Sequence, residues 1–368
     1  MAKPRYIMVG GFLGAGKTTA MLRLGQHLAG SGVRVGLVTN DQSSGLVDTA
    51  ILSASGFPVE EITGGCFCCR FASLMEAAQR LTGRTAPDVF LAEPVGSCTD
   101  LKATVSYPLR RLYGDDFSVA PFSVLLDPAR ALRLLHLEPG RQFSAKVLYV
   151  YEKQLEEADI LVVNKIDQFD AGRLAALSAA LRHRYPRTPV FEVSAKTGAG
   201  LEQWFARVLG AEDEGQANLQ IDYDEYASGE ALLGWLNCTA RLSGQPFDGN
   251  AWLMTLATEL QRRFARLDIE IAHLKMTLTP AEHDNDLAVV NLVGTHAAPV
   301  IPFRLQDAVS TGHLIMNLRA ESDPEILRQE AMAGMSGHAA ETGVGLEVDH
   351  IEHFRPGRPV PTHRLAMV

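Results

Sequence analysis

A chain of 368 residues leaves room for two or three domains. With 46% hydrophobic and 21% charged residues it has an ordinary globular composition, which excludes disordered, collagen-like and small disulfide-stapled classes. Its 43 acidic side chains outnumber 34 Lys and Arg, and a net charge of −9 repels phosphate backbones and anionic lipid, so nucleic acid and membrane are not expected partners.

In chain order, short apolar runs alternate with helix-length amphipathic segments up to about residue 210. Strands are expected at Tyr6–Gly10, Val33–Thr39, Asp88–Ala92, Ser118–Asp127, Asp159–Asn164 and Pro189–Ser194. Helices are expected at Thr18–Ala29, Phe71–Leu81, Ala171–Arg184 and Leu201–Leu209. This alternation predicts an α/β domain over residues 1–210, with a mostly parallel sheet covered on both faces. The acidic stretch 211–219 has no periodicity and is expected to be a linker. From residue 220 to 368 the rhythm changes. A strand at Ala231–Leu242 and a helix at Ala251–Leu267 precede strands at 269–278, 286–294 and 312–320, a helix at 323–341 and a strand at 345–354. That order predicts a smaller α+β domain resembling a split β-α-β unit, with a client-binding or regulatory role. The Pro- and Arg-rich tail FRPGRPVPTHR is expected to be irregular and frayed.

Gly11-Phe-Leu-Gly14-Ala15-Gly16-Lys17-Thr18 satisfies G-x-x-x-x-G-K-[ST] between an expected strand and an expected helix. Glycines at 11, 14 and 16 let backbone N–H groups turn toward a phosphate, and the helix N-terminus adds positive partial charge. Lys17 is expected on the β- and γ-phosphates and the Thr18 hydroxyl on Mg²⁺, with Ala15 and Thr19 completing the nucleotide contacts. Asn164-Lys165-Ile166-Asp167 closes a later apolar strand. A carboxylate at Asp167 can accept from guanine N1–H and the exocyclic amine, a donor pair that adenine lacks. Ser194-Ala195-Lys196 follows one βα unit later, where such a loop closes over guanine, so GTP and GDP are the expected nucleotides.

Five cysteines is an odd number, and three crowd into Gly64-Gly65-Cys66-Phe67-Cys68-Cys69. Such spacing suits a reducing compartment and thiolate chemistry better than disulfides, and no apolar run reaches the ~18 residues of a membrane span, so a cytoplasmic location is expected. Three thiols in four residues can converge on one ion, with Zn²⁺ at about 2.3 Å from each sulfur. A fourth donor could be Glu61, Asp41, Cys98, another chain or water. Glu93-x-x-Gly96 ends a strand on the other side of the Phe71–Leu81 helix. Its carboxylate is expected to organise the attacking water or the magnesium shell, and loss of the γ-phosphate would then alter the thiolate geometry.

Together GGFLGAGKTT (10–19), Asn40-Asp41 with Asp48, Glu61 before GGCFCC (64–69), Glu93-x-x-Gly96, EEADILVVNKID (156–167) and SAKTGAGLEQW (194–204) resemble the CobW-type GTPases, relatives of the nickel-insertion GTPases of hydrogenase and urease maturation. The resemblance implies a slow, metal-regulated GTPase with a phosphate-loop fold, in which Cys66, Cys68 and Cys69 hold Zn²⁺ or Co²⁺ and hydrolysis drives release to a client metalloprotein. Corrinoid- and nitrile-hydratase-related clients occur in the family, and a homodimer is allowed for. The sequence departs from the family pattern at Asp41-Gln42-Ser43 and at Pro94, and carries no His-rich stretch. The competing readings are a GTP-dependent assembly switch and a partner of a corrinoid enzyme, neither delivering metal.

Overall fold

The computed structural model describes residues 3–40, 47–212, 219–282 and 286–365. They form two compact units. Of the described residues, the first unit takes those up to Asn40, those from 51 to 227 and those from 358 to 365, and the second takes those from 47 to 50 and from 228 to 357.

The first unit is built on β1 (Arg5–Gly11), β2 (Val35–Asn40), β3 (Val59–Ile62), β4 (Val89–Glu93), β5 (Ser118–Val119), β6 (Ser123–Leu126), β7 (Ile160–Val163) and β8 (Val190–Glu192). The strand order is β3-β2-β4-β1-β6-β7-β8, with β5 also on β1, and every pair is parallel. Helices α1 (Lys17–Gly30), α2 (Val47–Ala54), α3 (Phe71–Thr85), α4 (Tyr107–Tyr113), α5 (Pro128–Leu134), α6 (Ala145–Glu156), α7 (Ala171–Arg184), α8 (Leu201–Gly210) and α9 (Tyr223–Leu232) connect or follow these strands. Parallel strands need helical crossovers and are buried on both faces, hence the unbroken apolar runs MVGG, VFLA and ILVV. Ile7, Val9, Leu91, Val162 and Trp204 are completely buried in this core.

The single strand expected at 118–127 is two. Pro121 has no N–H to give the ladder, so β5 pairs Arg5 and Tyr6 while β6 resumes opposite Val9–Gly11. Asp127 leaves the strand and caps α5, its carboxylate accepting from Arg130 N at 3.2 Å, with Pro128 in the first turn. Helices α2, α4, α5, α6 and α9 and strand β3 lay outside the sequence expectation.

The second unit is a six-stranded antiparallel sheet of order β12-β11-β10-β13-β9-β14, from β9 (Leu233–Phe247), β10 (Ile271–Pro280), β11 (Ala288–Leu292), β12 (Val300–Phe303), β13 (Val309–Glu321) and β14 (Gly345–Phe354). Helices α10 (Gly249–Arg266) and α11 (Pro324–Thr342) pack their apolar stripes, Trp252, Leu256, Leu260 and Leu327, Ala331, Met335, into a core shared with alternate strand residues. Cys238 is part of it. The four-residue strand β12 was not expected. Residues 47–50 join this unit through Val47 N, which donates to Asn317 Oδ1 at 2.9 Å, and Asp48, paired with Lys275 at 2.6 Å.

The division differs from the expected one at both ends. Residues 219–227 and 358–365 belong with the first unit. The expected linker at 211–219 lies mostly outside the described residues. No helix among the described residues is long and apolar enough to cross a membrane.

Candidate nucleotide and thiol sites

In open parallel sheets, ligands are met at the carboxyl ends of the strands. Here β1 runs into Gly11–Gly16, β2 ends at Asn40, β4 at Glu93, and Asp127, Asn164 and Ser194 follow β6, β7 and β8. Every motif of the first unit therefore emerges from one edge.

The phosphate loop bends through Gly11, Gly14 and Gly16 at φ of +131°, +80° and +89°, a region that side chains with a Cβ rarely enter. A Cβ on Gly11 would lie 2.2 Å from the Leu125 carbonyl oxygen, and one on Gly16 2.5 Å from Asn164 Nδ2. Gly16 caps α1, so the first amides of that helix face the loop and make an anion site. Lys17 and Thr18 are buried in its first turn. Lys17 Nζ is 3.8 Å from Glu93 Oε1, and Thr18 Oγ1 donates to the same oxygen at 3.2 Å. Cation, hydroxyl and carboxylate are thus brought to one point, the arrangement needed to hold a phosphate, a hydrated divalent ion and a water together.

The second half of the pocket is a brace. Asn164 Nδ2 donates to the Ala15 carbonyl at 2.9 Å and its Oδ1 accepts from Ala195 N at 3.0 Å, tying the phosphate loop to the Ser194–Lys196 loop. Lys165, at φ +59°, sends its ammonium to the Gly14 carbonyl at 2.7 Å and to Asp127 Oδ2 at 2.8 Å. Burial works to raise the Asp127 pKa, but the charges of Lys165 and Arg130 outweigh it and hold the carboxylate below its ordinary range. Arg130 donates to the Leu13 carbonyl and lies over the Phe12 and Phe143 rings at 5.4 and 5.3 Å. Asp167 is exposed, one oxygen accepting from Ser194 Oγ at 2.6 Å. Arg23 donates to the carbonyls of Ala195 and Lys196 at 2.9 and 2.8 Å.

Arg23, Asp127 and Arg130 were not singled out from the sequence. A signal existed for Asp127: an aspartate directly before proline, closing an apolar strand, marks a helix cap. Arg23 and Arg130 sit in helices where nothing local reveals that their guanidinium groups reach a loop.

The thiols sit in the first turn before α3. Gly64 and Gly65, at φ +74° and +150°, fold the chain back. Asn40 fixes the result, donating to the carbonyls of Ile62 and Gly65 at 3.0 and 2.7 Å and accepting from Phe67 N at 2.7 Å. The Cys66 carbonyl accepts from the N–H groups of Cys69 and Arg70, closing one turn that gathers the sulfurs. Cys66 Sγ lies 2.6 Å from Cys68 Sγ and 3.2 Å from Cys69 Sγ, and Cys68 and Cys69 are 3.7 Å apart. Hydrogen bonds from Cys68, Cys69 and Cys98 pull the Cys66 thiol well below its ordinary pKa. The hydrogen bond that each makes to Cys66 raises Cys68 and pushes Cys69 up to about 11.

A zinc tetrahedron with bonds of about 2.3 Å sets its sulfurs about 3.8 Å apart. The Cys68–Cys69 spacing of 3.7 Å fits that separation. Among the described residues these three cysteines form the group of donors close enough to share an ion. Glu61, named as a fourth donor from the sequence, is not in that group, and Asp41 lies outside the described residues.

The C-terminal tail is not frayed. Val360 N donates to Cys69 Sγ at 3.2 Å, Thr362 N to the Cys68 carbonyl at 2.8 Å and Thr362 Oγ1 to the Cys69 carbonyl at 3.2 Å. His363 meets Phe71 edge-on at 5.1 Å, and Arg364 donates to Asp100 Oδ2 at 2.7 Å. Proline at 359 and 361 restricts the segment, and the N–H groups of Val360 and Thr362 that alternate with them point to the thiol turn.

Residues 5–192 match the family model described as CobW/HypB/UreG, nucleotide-binding domain. A zinc chaperone CobW of Sinorhizobium sp. is 29% identical over 259 residues, which is 62% of this chain and 72% of that protein. The zinc chaperone YeiR of Escherichia coli (strain K12) is 32% identical over 166 residues, 44% of this chain and 46% of YeiR, so that match spans less than half of the relative. Among solved structures, HypB from Helicobacter pylori in complex with nickel aligns at 18% identity and a TM-score of 0.43, covering 58% of this chain and 91% of HypB. With the family model running from β1 to the end of β8, across half of its residues, the chain belongs to the CobW/HypB/UreG family.

Proposed function

We propose that this GTPase carries a zinc-class ion on Cys66, Cys68 and Cys69 and uses Mg-GTP hydrolysis to release it to a client metalloprotein. The observation that carries the reading is the gathering of three sulfurs within 3.7 Å on a turn that Asn40 ties to the end of β2, at the edge of the sheet where the phosphate loop also emerges. A soft thiolate set selects Zn²⁺ or Co²⁺ over the hard Mg²⁺, which keeps to oxygen ligands. Two ions can therefore serve one protein without exchanging places. The two zinc chaperones among its relatives support zinc as the cargo.

In this reading Gly11, Gly14, Ala15, Gly16 and Thr19 cradle the phosphates through their amides, Lys17 neutralises the β- and γ-phosphates, and Thr18 binds Mg²⁺. Glu93, now beside Lys17 and Thr18, turns to the magnesium shell or the attacking water once phosphate takes over the lysine. Asp167 accepts from guanine, Lys165 lays its stem beside the base, and Ser194, Ala195 and Lys196 close the rim. Asn164 holds the two loops at the right separation and does not itself read the base.

Metal titration of the GDP- and GTP-analogue-bound forms, with Zn²⁺, Co²⁺ and Ni²⁺ in competition, tests the coupling. Tighter zinc binding in the GTP-analogue form is expected, with loss of stoichiometric binding when all three cysteines become alanine. Equal affinity in both nucleotide states removes the coupling.

A further inference from the structure

Residues 358–365 form neither helix nor strand, yet they bridge two segments of the first unit. One is the thiol turn, where Val360 N meets the Cys69 sulfur and Thr362 meets the carbonyls of Cys68 and Cys69. The other is the stretch after β4. There Leu365 N donates to the Ala103 carbonyl at 2.8 Å, and Arg364 Nε is paired with Asp100 Oδ2 at 2.7 Å. Asp100 is buried, at φ +62°, a left-handed conformation that costs a residue with a Cβ. Tyr223 donates to the same Oδ2 at 2.7 Å, and Glu157 fixes the neighbouring backbone by accepting from Thr99 Oγ1 and Lys102 N. A buried carboxylate parted from its cation is costly, which makes this pair the strong point of the bridge. The rest is lightly held. Among residues 358–365 Pro359 alone is buried, and the Val360 side chain is 71% exposed. A segment fixed by hydrogen bonds with so little apolar burial belongs to the part of a protein that opens first.

We propose that residues 358–365 are a strap closed over the thiol turn and latched at Asp100 by Arg364, and that its release opens Cys69 to exchange. Its bearing on ion delivery rests on the metal-carrying reading of the three cysteines; its control of the Cys69 thiol does not. With the strap closed, the Val360 N–H occupies one side of the Cys69 sulfur, and Thr362 holds the two carbonyls beside it. With Arg364 off Asp100, water takes over these hydrogen bonds and the sulfur is left to an incoming donor or reagent. The anchoring stretch begins at Glu93, whose carboxylate meets Lys17 and Thr18, so the strap joins the thiol turn to the segment that faces the phosphate loop. The contact is autoinhibitory: the chain's own backbone takes the place at Cys69 that a client's donor must reach.

Alkylation of the full, metal-free chain with iodoacetamide, read residue by residue from initial rates by mass spectrometry, tests the strap without any ion. Arg364→Ala is expected to raise the Cys69 rate at least about tenfold, the loss of one charged hydrogen bond, and to leave the buried Cys238 of the second unit unchanged. Arg364→Lys, which keeps the charge, is expected to fall between the two. Amide hydrogen exchange across 358–365 is expected to quicken in Arg364→Ala. An unchanged Cys69 rate overturns the strap, whether or not the tail exchanges faster. With one equivalent of Zn²⁺ bound, Arg364→Ala is expected to pass the ion to a chromophoric chelator at least about tenfold faster. Equal transfer beside faster alkylation overturns the strap's hold on the ion and leaves its control of the thiol. Zinc that the wild-type cysteines do not retain removes the metal-carrying reading, and the alkylation rates then decide the strap alone.

Discussion

The phosphate pocket and the thiol turn lie at the same edge of one sheet, yet they are built differently. The pocket is braced by side chains that reach between loops: Asn164 joins two loops, Lys165 and Asp127 form an ion pair under the phosphate loop, and the glycines hold backbone angles no other residue takes comfortably. The thiol turn is gathered by Asn40 and by one closed backbone turn, and the chain's own tail hydrogen-bonds to it. A pocket braced in this way binds at little reorganisation cost.

The sharpest way to separate the two is Lys17→Ala. GTP turnover is expected to fall by on the order of 10²–10³, while zinc stoichiometry in the GDP state stays at the wild-type value. Loss of zinc binding in this variant would mean that the two regions are one site. Next in size is the brace itself. Asn164→Ala strips buried partners from the Ala15 carbonyl and the Ala195 N–H, which costs about 1–3 kcal/mol. Urea unfolding of the nucleotide-depleted protein measures it, and an unchanged midpoint would show that the pocket is not held open in advance.

Glu157 tests whether the loop after Cys98 is equally rigid. Its carboxyl accepts from Thr99 Oγ1 at 3.1 Å and Lys102 N at 3.3 Å, and burial, reinforced by the charge of Asp100, raises its pKa to about 8. The unfolded chain releases this proton near 4.5 and the folded one near 8. The stabilisation is therefore complete below pH 4.5 and lost as the pH rises to about 8, with a slope of at most about 1.4 kcal/mol per pH unit. Thermal unfolding across that window should show the fall, and Glu157→Gln should flatten it. A slope of equal size in the variant would place the titrating group elsewhere.

The smallest effect concerns the cover. Val360→Pro removes the N–H that meets Cys69 Sγ in a segment already proline-rich, and is expected to speed zinc transfer to a chelator about fivefold, the worth of one hydrogen bond of about 1 kcal/mol. GTP turnover at saturating nucleotide should not move. An unchanged transfer rate would show that the tail lies over the turn without restraining it.

Much of this protein is written locally. The glycine spacing at 11, 14 and 16, the β-α alternation and the crowding of Cys66, Cys68 and Cys69 announce a phosphate loop, a parallel sheet and a thiol turn, because each is a property of a few consecutive residues. The misplaced features share another character. Pro121 splits a strand that apolar content alone would leave whole, and β12 has only four residues to declare itself. The tail was expected to fray because Pro-rich composition suggests no core; it is docked by backbone N–H groups, which leave no mark on composition.

The sequence by itself determined which chemistry the chain carries, since charge, thiol and glycine are residue properties fixed at their positions. Only the tertiary structure decided which of those groups meet. Arg130 reaches Leu13 across 117 residues and Val360 reaches Cys69 across 291. Such contacts depend on the strand order of a wound sheet, and the order β3-β2-β4-β1-β6-β7-β8 is set by how apolar faces bury against one another, not by anything a neighbouring residue can reveal.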